Sequence, residues 1–271
     1  MKRILFITLL CLSVVSILKA QKIKTFYENK DQGYVLYAGN SELFPVSISL
    51  DLDMSNMIFS ERDKKVFVIP AKTEKYKIGE VTAAEKGQRY KFSYKFISTI
   101  GDVTITKYDK AFPYDLPFQK GTSYKLFQGY NGVFSHKNEN AMDFSLPEGS
   151  EVLAARDGIV VQVIKNNTQS CAEEECAKYN NYVMVMHADG TFASYVHIKY
   201  DGTKLNPGDS VKKGDVIAYS GNVGWSKGPH LHFVCFLGAF GKRNTLETRF
   251  RINKGIGAVL LNEGTTYLRD Y

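Results

Sequence analysis

The sequence predicts an almost all-β protein in two parts: an N-terminal β-sandwich-like domain, then a compact antiparallel β domain. Three observations predict it. No run of ten or more residues after the first twenty has helical periodicity. Short apolar or alternating segments recur between Gly, Asn, Asp and Pro turns. The 17 Tyr and 17 Phe suit pleated surfaces, on which flat rings pack well.

The first twenty residues answer to a different constraint. Lys2 and Arg3 precede an apolar run over residues 4–18, and Lys19-Ala20-Gln21 follows. A basic start, an apolar stretch and a small residue before a polar segment predict a signal peptide over 1–20, cut after Ala20, and hence a secreted, periplasmic or cell-envelope protein. The run is about 15 residues, short of the ~20 that a spanning helix needs, so no membrane span is expected after its removal. Cys11 lacks the small preceding residue expected of a lipid-attachment site. Loss of Lys2, Arg3 and Lys19 would take the formal charge from +7 to +4. That balance suits an anionic polymer such as cell wall. No dense basic block or stacking-aromatic motif points to nucleic acid.

Residues 21–112 read as short strands around Val35-Leu36-Tyr37, Val46 to Leu50, Val66 to Ile69 and Tyr90 to Phe96. Alternation at Tyr90, Phe92, Tyr94 and Phe96 puts a row of rings on one strand face. The region has no histidine and no cysteine, so packing, spacing or binding is expected of it rather than catalysis. Pro113 and Pro117 disfavour helix and central strand, so residues 111–117 read as a connector. In residues 113–271 two similar units follow, Pro147-Glu148-Gly149 to Val160 and Pro207-Gly208-Asp209 to Ile217. Each is a Gly turn, a strand, a second Gly turn and a strand, the pattern of small packed hairpins.

Cys171 and Cys176 flank Ala-Glu-Glu-Glu, and export would allow them to form a loop disulfide; two free thiols are the alternative. Cys235, beside Phe233, Val234 and Phe236, reads as a small buried hydrophobe.

All five histidines lie in the second half. In a strand, His230 and His232 of Gly-Pro-His-Leu-His-Phe point to one face, two rises of roughly 3.3 Å apart. One can then bind a metal while the other stands near its open position. His197 shares a face with Tyr195, opposite Val196 and Ile198, and so faces solvent or a cleft. His187, before a Gly turn, reads as a hydrogen-bonded structural residue. A catalytic zinc takes three protein ligands and leaves one position for water, a need met by a His, a carboxylate and a second His. His136 and Asp143 are candidates for two of these places, and one of His230 and His232 for the third. No HExxH helix and no GxSxG elbow is present.

The order and spacing of these elements resemble the M23 peptidases, also called LytM or lysostaphin-type endopeptidases. The resemblance rests on His136…Asp143-Phe144, Pro147-x-Gly149-x-x-Val152, Gly158-x-Val160, Tyr195-x-His197, Pro207-Gly208-Asp209 and Gly228-Pro229-His230-Leu231-His232-Phe233. It implies metal ligands His136, Asp143 and His232, active-site histidines His197 and His230, Zn²⁺ as cofactor and peptidoglycan amide bonds as substrate. In the family's usual first motif three residues separate the His and the Asp; here six intervene. At the usual spacing Asn140 takes the Asp place, but counting back from Gly149, Val152 and Gly158 reaches Asp143. Glu139 is the fallback ligand. Two readings compete with catalysis. One is an inactive wall-binding module that activates a partner amidase, although degenerate relatives typically lack ligands that this chain keeps. The other is a lipoyl- or biotin-type carrier, which needs an exposed Lys at a hairpin tip and leaves the histidines unexplained.

Overall fold

The computed structural model describes residues 22–271; the predicted signal peptide, with Cys11, lies outside the described residues. Strands dominate. The one helix among the described residues is a 3₁₀ segment, Glu174–Tyr179, and no helix there is long and apolar enough to cross a membrane.

The N-terminal part consists of two antiparallel sheets. Ile23–Lys30, Gly33–Asn40, Thr73–Ala83 and Met57–Phe59 form one, and Val66–Ile69, Val46–Ser55 and Lys91–Ile100 the other. Ile23–Lys30 and Thr73–Ala83 are absent from the sequence reading, because Lys24, Glu28, Glu74, Lys75 and Lys77 interrupt any apolar alternation. Ile23–Lys30 is an edge, where charge is expected. The predicted ring row exists but is only half buried: Phe92 stacks on Tyr34 at 5.4 Å and on Tyr94 at 5.6 Å. Leu36, Ile48, Phe67, Ile69 and Val81 from both sheets share one apolar cluster, which Val161, Met184, Phe192 and Phe236 of the second half complete.

Residues 111–117 run directly into the second core. Pro113–Tyr114 is a two-residue edge strand, parallel to Arg249–Ile252, with proline at its first position, where no ladder donor is lost. Tyr114, Leu116 and Phe118 are buried with Phe144, Phe233 and Phe250.

The second part is built on a nine-stranded antiparallel sheet. In spatial order its path runs Ser210–Val211, Gly158–Ile164, Tyr182–Met186, Phe192–Val196, Leu231–Leu237, Ala141–Phe144, Ser123–Gln128 and Thr266–Leu268, with Asn244–Leu246 beside Leu231–Leu237. The two turn units do not close as separate hairpins. Gly158–Ile164 of the first pairs with Ser210–Val211 of the second, and Glu151–Leu153 pairs with Val216–Tyr219. The units interlock, because the chain turns a corner at Ala154, whose N–H and carbonyl bond to Asp215 and Gly214 of the other unit.

Register on this sheet fixes what lines up, since alternate residues share a face. Asp143 stands opposite Gln128 on one side and His232 on the other; His232 faces Val196, which faces Tyr182. One row further along the same face come Ala141, Val234, Ser194 and Met184. The next holds Phe236, Phe192 and Met186, and there the N-terminal part takes over: the Phe44 ring meets Phe192 edge-on at 5.9 Å. Four residues of strand, ~13 Å, separate His232 from this covered end.

Candidate metal centre

The polar row lies at the floor of a groove of about 1100 Å³. His136, Asp143 and His232 each offer a ligand atom to one point, all within 4.8 Å of one another. His136 Nε2 is 3.2 Å from His232 Nδ1 and 3.2 Å from Asp143 Oδ2, while His232 Nδ1 is 2.9 Å from Asp143 Oδ1. Ligands at ~2.0–2.1 Å from a tetrahedral ion lie roughly 3.3 Å apart, so these separations match three corners of such a site. Two imidazoles and a carboxylate suit a borderline transition metal.

Each member is held from behind. His136 Nδ1–H donates to the Gly129 carbonyl at 2.9 Å, which leaves Nε2 bare and inward. Gly129 is itself held, its N–H donating to Glu263 Oε2 at 3.0 Å. Gln128 Nε2 donates to Asp143 Oδ2 at 2.9 Å and to Ser135 Oγ at 2.7 Å, while its Oε1 accepts from the Phe134 and Ser135 amides. One amide thus fixes both the carboxylate and the loop that carries His136.

The cluster shifts its own protonation. Burial would raise the Asp143 pKa, but hydrogen bonds and charge from His136 and His232 outweigh it and hold the carboxyl far below its usual range. Burial opposes charge on His136, yet the Asp143 bond raises its pKa; on His232 burial prevails and lowers it.

The other histidines take different places. His197 leaves its strand with φ of +66°, in the left-handed region, and this breaks the alternation. Tyr195 therefore enters the core, where its hydroxyl accepts from the Ala155 amide, instead of sharing the face of His197. The His197 ring turns into the groove, its Nδ1–H donating to the Val223 carbonyl at 2.8 Å. Burial, with His230 and His232 alongside, pushes its pKa down to about 3. His230 Nδ1–H donates to the Gly228 carbonyl at 2.8 Å, its ring centre is 4.5 Å from that of His197, and its Nε2 is 3.8 Å from Asp143 Oδ1. His187 stands apart, buried and donating to the Asp157 carbonyl at 2.8 Å. Glu139 turns towards Lys242 and Arg243, and the Asn140 amide is tied to Thr245, so neither joins the cluster.

Cys171 and Cys176 form a disulfide that closes the loop carrying the 3₁₀ helix, and Glu174, Ala177 and Asn180 of this loop form one groove wall. The wall is fastened by a parallel pairing of Ser170–Cys171 with Gly224–Trp225. At Gly224, φ is +91° and a Cβ would fall 1.9 Å from Asn180 Oδ1, so only glycine fits there. The sequence reading overlooked Gln128, Gly129, Glu263 and Arg243. For Gln128 a signal existed, a polar residue continuing the buried face after Leu126 in an alternating strand.

The sheet presents Asp143 and His232, and a loop brings His136 to them, at a groove floor; this defines the class as an all-β protein with a His-Asp-His group compatible with a metal ion. Residues 137–239 match the model of Peptidase family M23. The matched segment includes Asp143, His197, His230 and His232, and begins one residue after His136.

Three similar proteins illustrate the relationship. An uncharacterized metalloprotease of Buchnera aphidicola is 34% identical over 127 residues, 45% of this chain and 30% of the relative. Peptidoglycan DD-endopeptidase ShyA of Vibrio cholerae is 33% identical over 94 residues, 35% of this chain and 19% of the relative. Glycyl-glycine endopeptidase ALE-1 of Staphylococcus capitis is 30% identical over 142 residues, 52% of this chain and 35% of the relative. The chain therefore spans about a third or less of these relatives' lengths. Among solved structures, lysostaphin of Staphylococcus simulans is 28% identical, covers 44% of each chain and has a TM-score of 0.34.

Proposed function

We propose that the chain is a zinc-dependent endopeptidase of the cell envelope that hydrolyses amide bonds in the peptide part of peptidoglycan. The observation that carries this reading is the convergence of His136, Asp143 and His232 at the floor of an open groove. The names of ShyA and ALE-1, both endopeptidases, lend support for the substrate.

Zinc held by these three residues would supply Lewis acidity, polarising a carbonyl and making water acidic near neutral pH. His136 and His232 contribute neutral nitrogens and Asp143 a negative charge, so the ligand set offsets only part of the ion's charge. His197 and His230 line the groove beside the cluster. Both have Nδ1–H committed to a carbonyl, so each offers a bare Nε2. Such an imidazole accepts a proton from the attacking water and donates only after it has accepted one. The pair can pass that proton to the leaving amine, completing hydrolysis with no net proton change at the site. Phe127, Phe134 and Trp225 bound the space in which the peptide would lie.

Zinc content of the purified chain, measured with digestion of isolated peptidoglycan in the presence and absence of a chelator, tests the proposal. His232→Ala is expected to lose zinc and hydrolysis together. His197→Ala is expected to keep zinc and lose turnover by ~10²–10⁴-fold, the usual worth of positioned proton transfer. Full zinc in the His232 variant would overturn the ligand assignment. A zinc-loaded chain that digests nothing would point instead to a wall-binding module.

A further inference from the structure

The side of the groove towards Phe236 carries charge that the proposed chemistry does not use. Lys242 and Arg243 follow the strand bearing His232 and line the groove. The Arg243 guanidinium lies 5.3 Å from the centre of the Phe236 ring, in the row that the N-terminal part covers. Their shared counter-charge is Glu139, at 3.7 Å from Lys242 and 3.6 Å from Arg243. Those separations are long for charge-assisted hydrogen bonds, which run at ~2.7–2.9 Å. Two cations thus share one carboxylate, and the eight N–H donors they carry make no hydrogen bond among the described residues. The other groove carboxylates are engaged or distant. Asp143 belongs to the cluster, Glu263 accepts from Gly129, and Glu174 sits on the disulfide wall.

We infer that Arg243, assisted by Lys242, forms a carboxylate-binding subsite, and that the preferred substrate is a peptide bearing a free carboxylate on the residue lodged beside Arg243. This rests on the endopeptidase reading and narrows it to acidic rather than amidated peptides. The planar guanidinium fork matches a carboxylate with two parallel bonds, and the Phe236 face beneath restrains it. Lys242, more exposed, adds charge without fixed direction. Both residues come after the segment that matches the family, so this subsite belongs to the chain's own C-terminal portion.

The test uses the full zinc-loaded chain and two synthetic cross-linked peptides that differ only in one side carboxylate, free in one and amidated in the other. The expected ratio of kcat/KM, free over amidated, is about 10–100, falling towards one in Arg243→Gln and to an intermediate value in Arg243→Lys, which keeps the charge but loses the fork. A smaller decline is expected for Lys242→Gln. Equal hydrolysis of both peptides by the unaltered chain, or an undiminished ratio in Arg243→Gln, overturns the subsite. If neither peptide is cut, the endopeptidase reading fails instead, and calorimetric Kd values for the same two peptides then decide the subsite. A free-carboxylate preference lost in Arg243→Gln upholds it; equal Kd values overturn it.

Discussion

Two ends of one sheet face meet different demands with the same strands. At one end Gln128, Asp143, His232 and Val196 stand in line under an open groove; at the other Phe192, Phe236 and Met186 lie beneath the N-terminal sheets. The polar end is held by hydrogen bonds of defined partner and direction. The apolar end is held by contact area, which has no direction. The N-terminal part, which lacks histidine and cysteine, covers the apolar end of this face. Tyr182 and Met184 both line that groove and pack against the N-terminal cluster, so the two ends meet within two residues.

The sharpest way to break this contrast is to damage each end alone. Asp143→Ala removes the only carboxylate of the cluster, and the expected outcome is loss of bound zinc and of detectable hydrolysis, with the thermal transition of the N-terminal sheets preserved. Phe192→Ala should do the reverse, costing about 3–5 kcal/mol of folding stability while the folded fraction keeps its zinc. Denaturant titrations paired with metal analysis separate the two. If Phe192→Ala released zinc as completely as Asp143→Ala, the ends would be one cooperative unit.

A second contrast lies among the histidines, between His136 and His232, which touch Asp143, and His187, which touches no carboxylate. Its Nδ1–H is bonded, but Nε2 is buried with no partner, and burial pushes its pKa down from 6.5 to about 4. Above pH 6.5 the ring is neutral whether the chain is folded or unfolded, so it costs nothing. Between pH 6.5 and about 4 the unfolded chain takes up a proton that the folded chain refuses, and stability falls with pH by about 1.4 kcal/mol per unit. Below that window the loss levels off, on the order of 3 kcal/mol in total. His187→Gln should flatten this part of the stability-against-pH curve, read as the difference from the unaltered chain. An unchanged slope would mean that the folded protein admits the charged ring.

How much of this was legible in the sequence follows from the range of the interactions. The all-β class could be read, because turn residues and alternation are local signals. The placing of His232 opposite Asp143 depends on a pairing between strands 89 residues apart, which no local pattern encodes. The family-like spacing of Gly149, Val152 and Gly158 pointed to Asp143, and the pairing register also brings that residue to the cluster. Local reasoning failed where a local rule was broken. The alternation that put His197 and Tyr195 on one face ended at a left-handed residue. The two turn units looked like hairpins because each is one strand, turn and strand, yet each pairs with the other. Glu263 and Arg243 gave no warning, since a charged residue in a C-terminal segment is usually solvated surface.

Glu263 offers the finest test, because it acts on the polar end from outside the matched domain. Thr266–Leu268 pairs with Ser123–Gln128 and brings Glu263 against the next residue, Gly129. One bond holds the Gly129 amide, and the carbonyl of the same residue accepts the hydrogen bond from His136 Nδ1–H. Glu263→Ala removes the outer bond only, so His136 keeps its partner but on a looser support. Groups behind a metal ligand are typically worth 10–100-fold in affinity, and one acting through an intervening residue belongs at the low end, about 10-fold weaker zinc binding. Glu263→Gln retains an oxygen acceptor and should recover most of that affinity. A purely structural role would lower the stability of the metal-free chain in both variants and leave zinc Kd equal between them. A Kd for Glu263→Ala within twofold of the unaltered chain would show that Gly129 stays fixed without the tail.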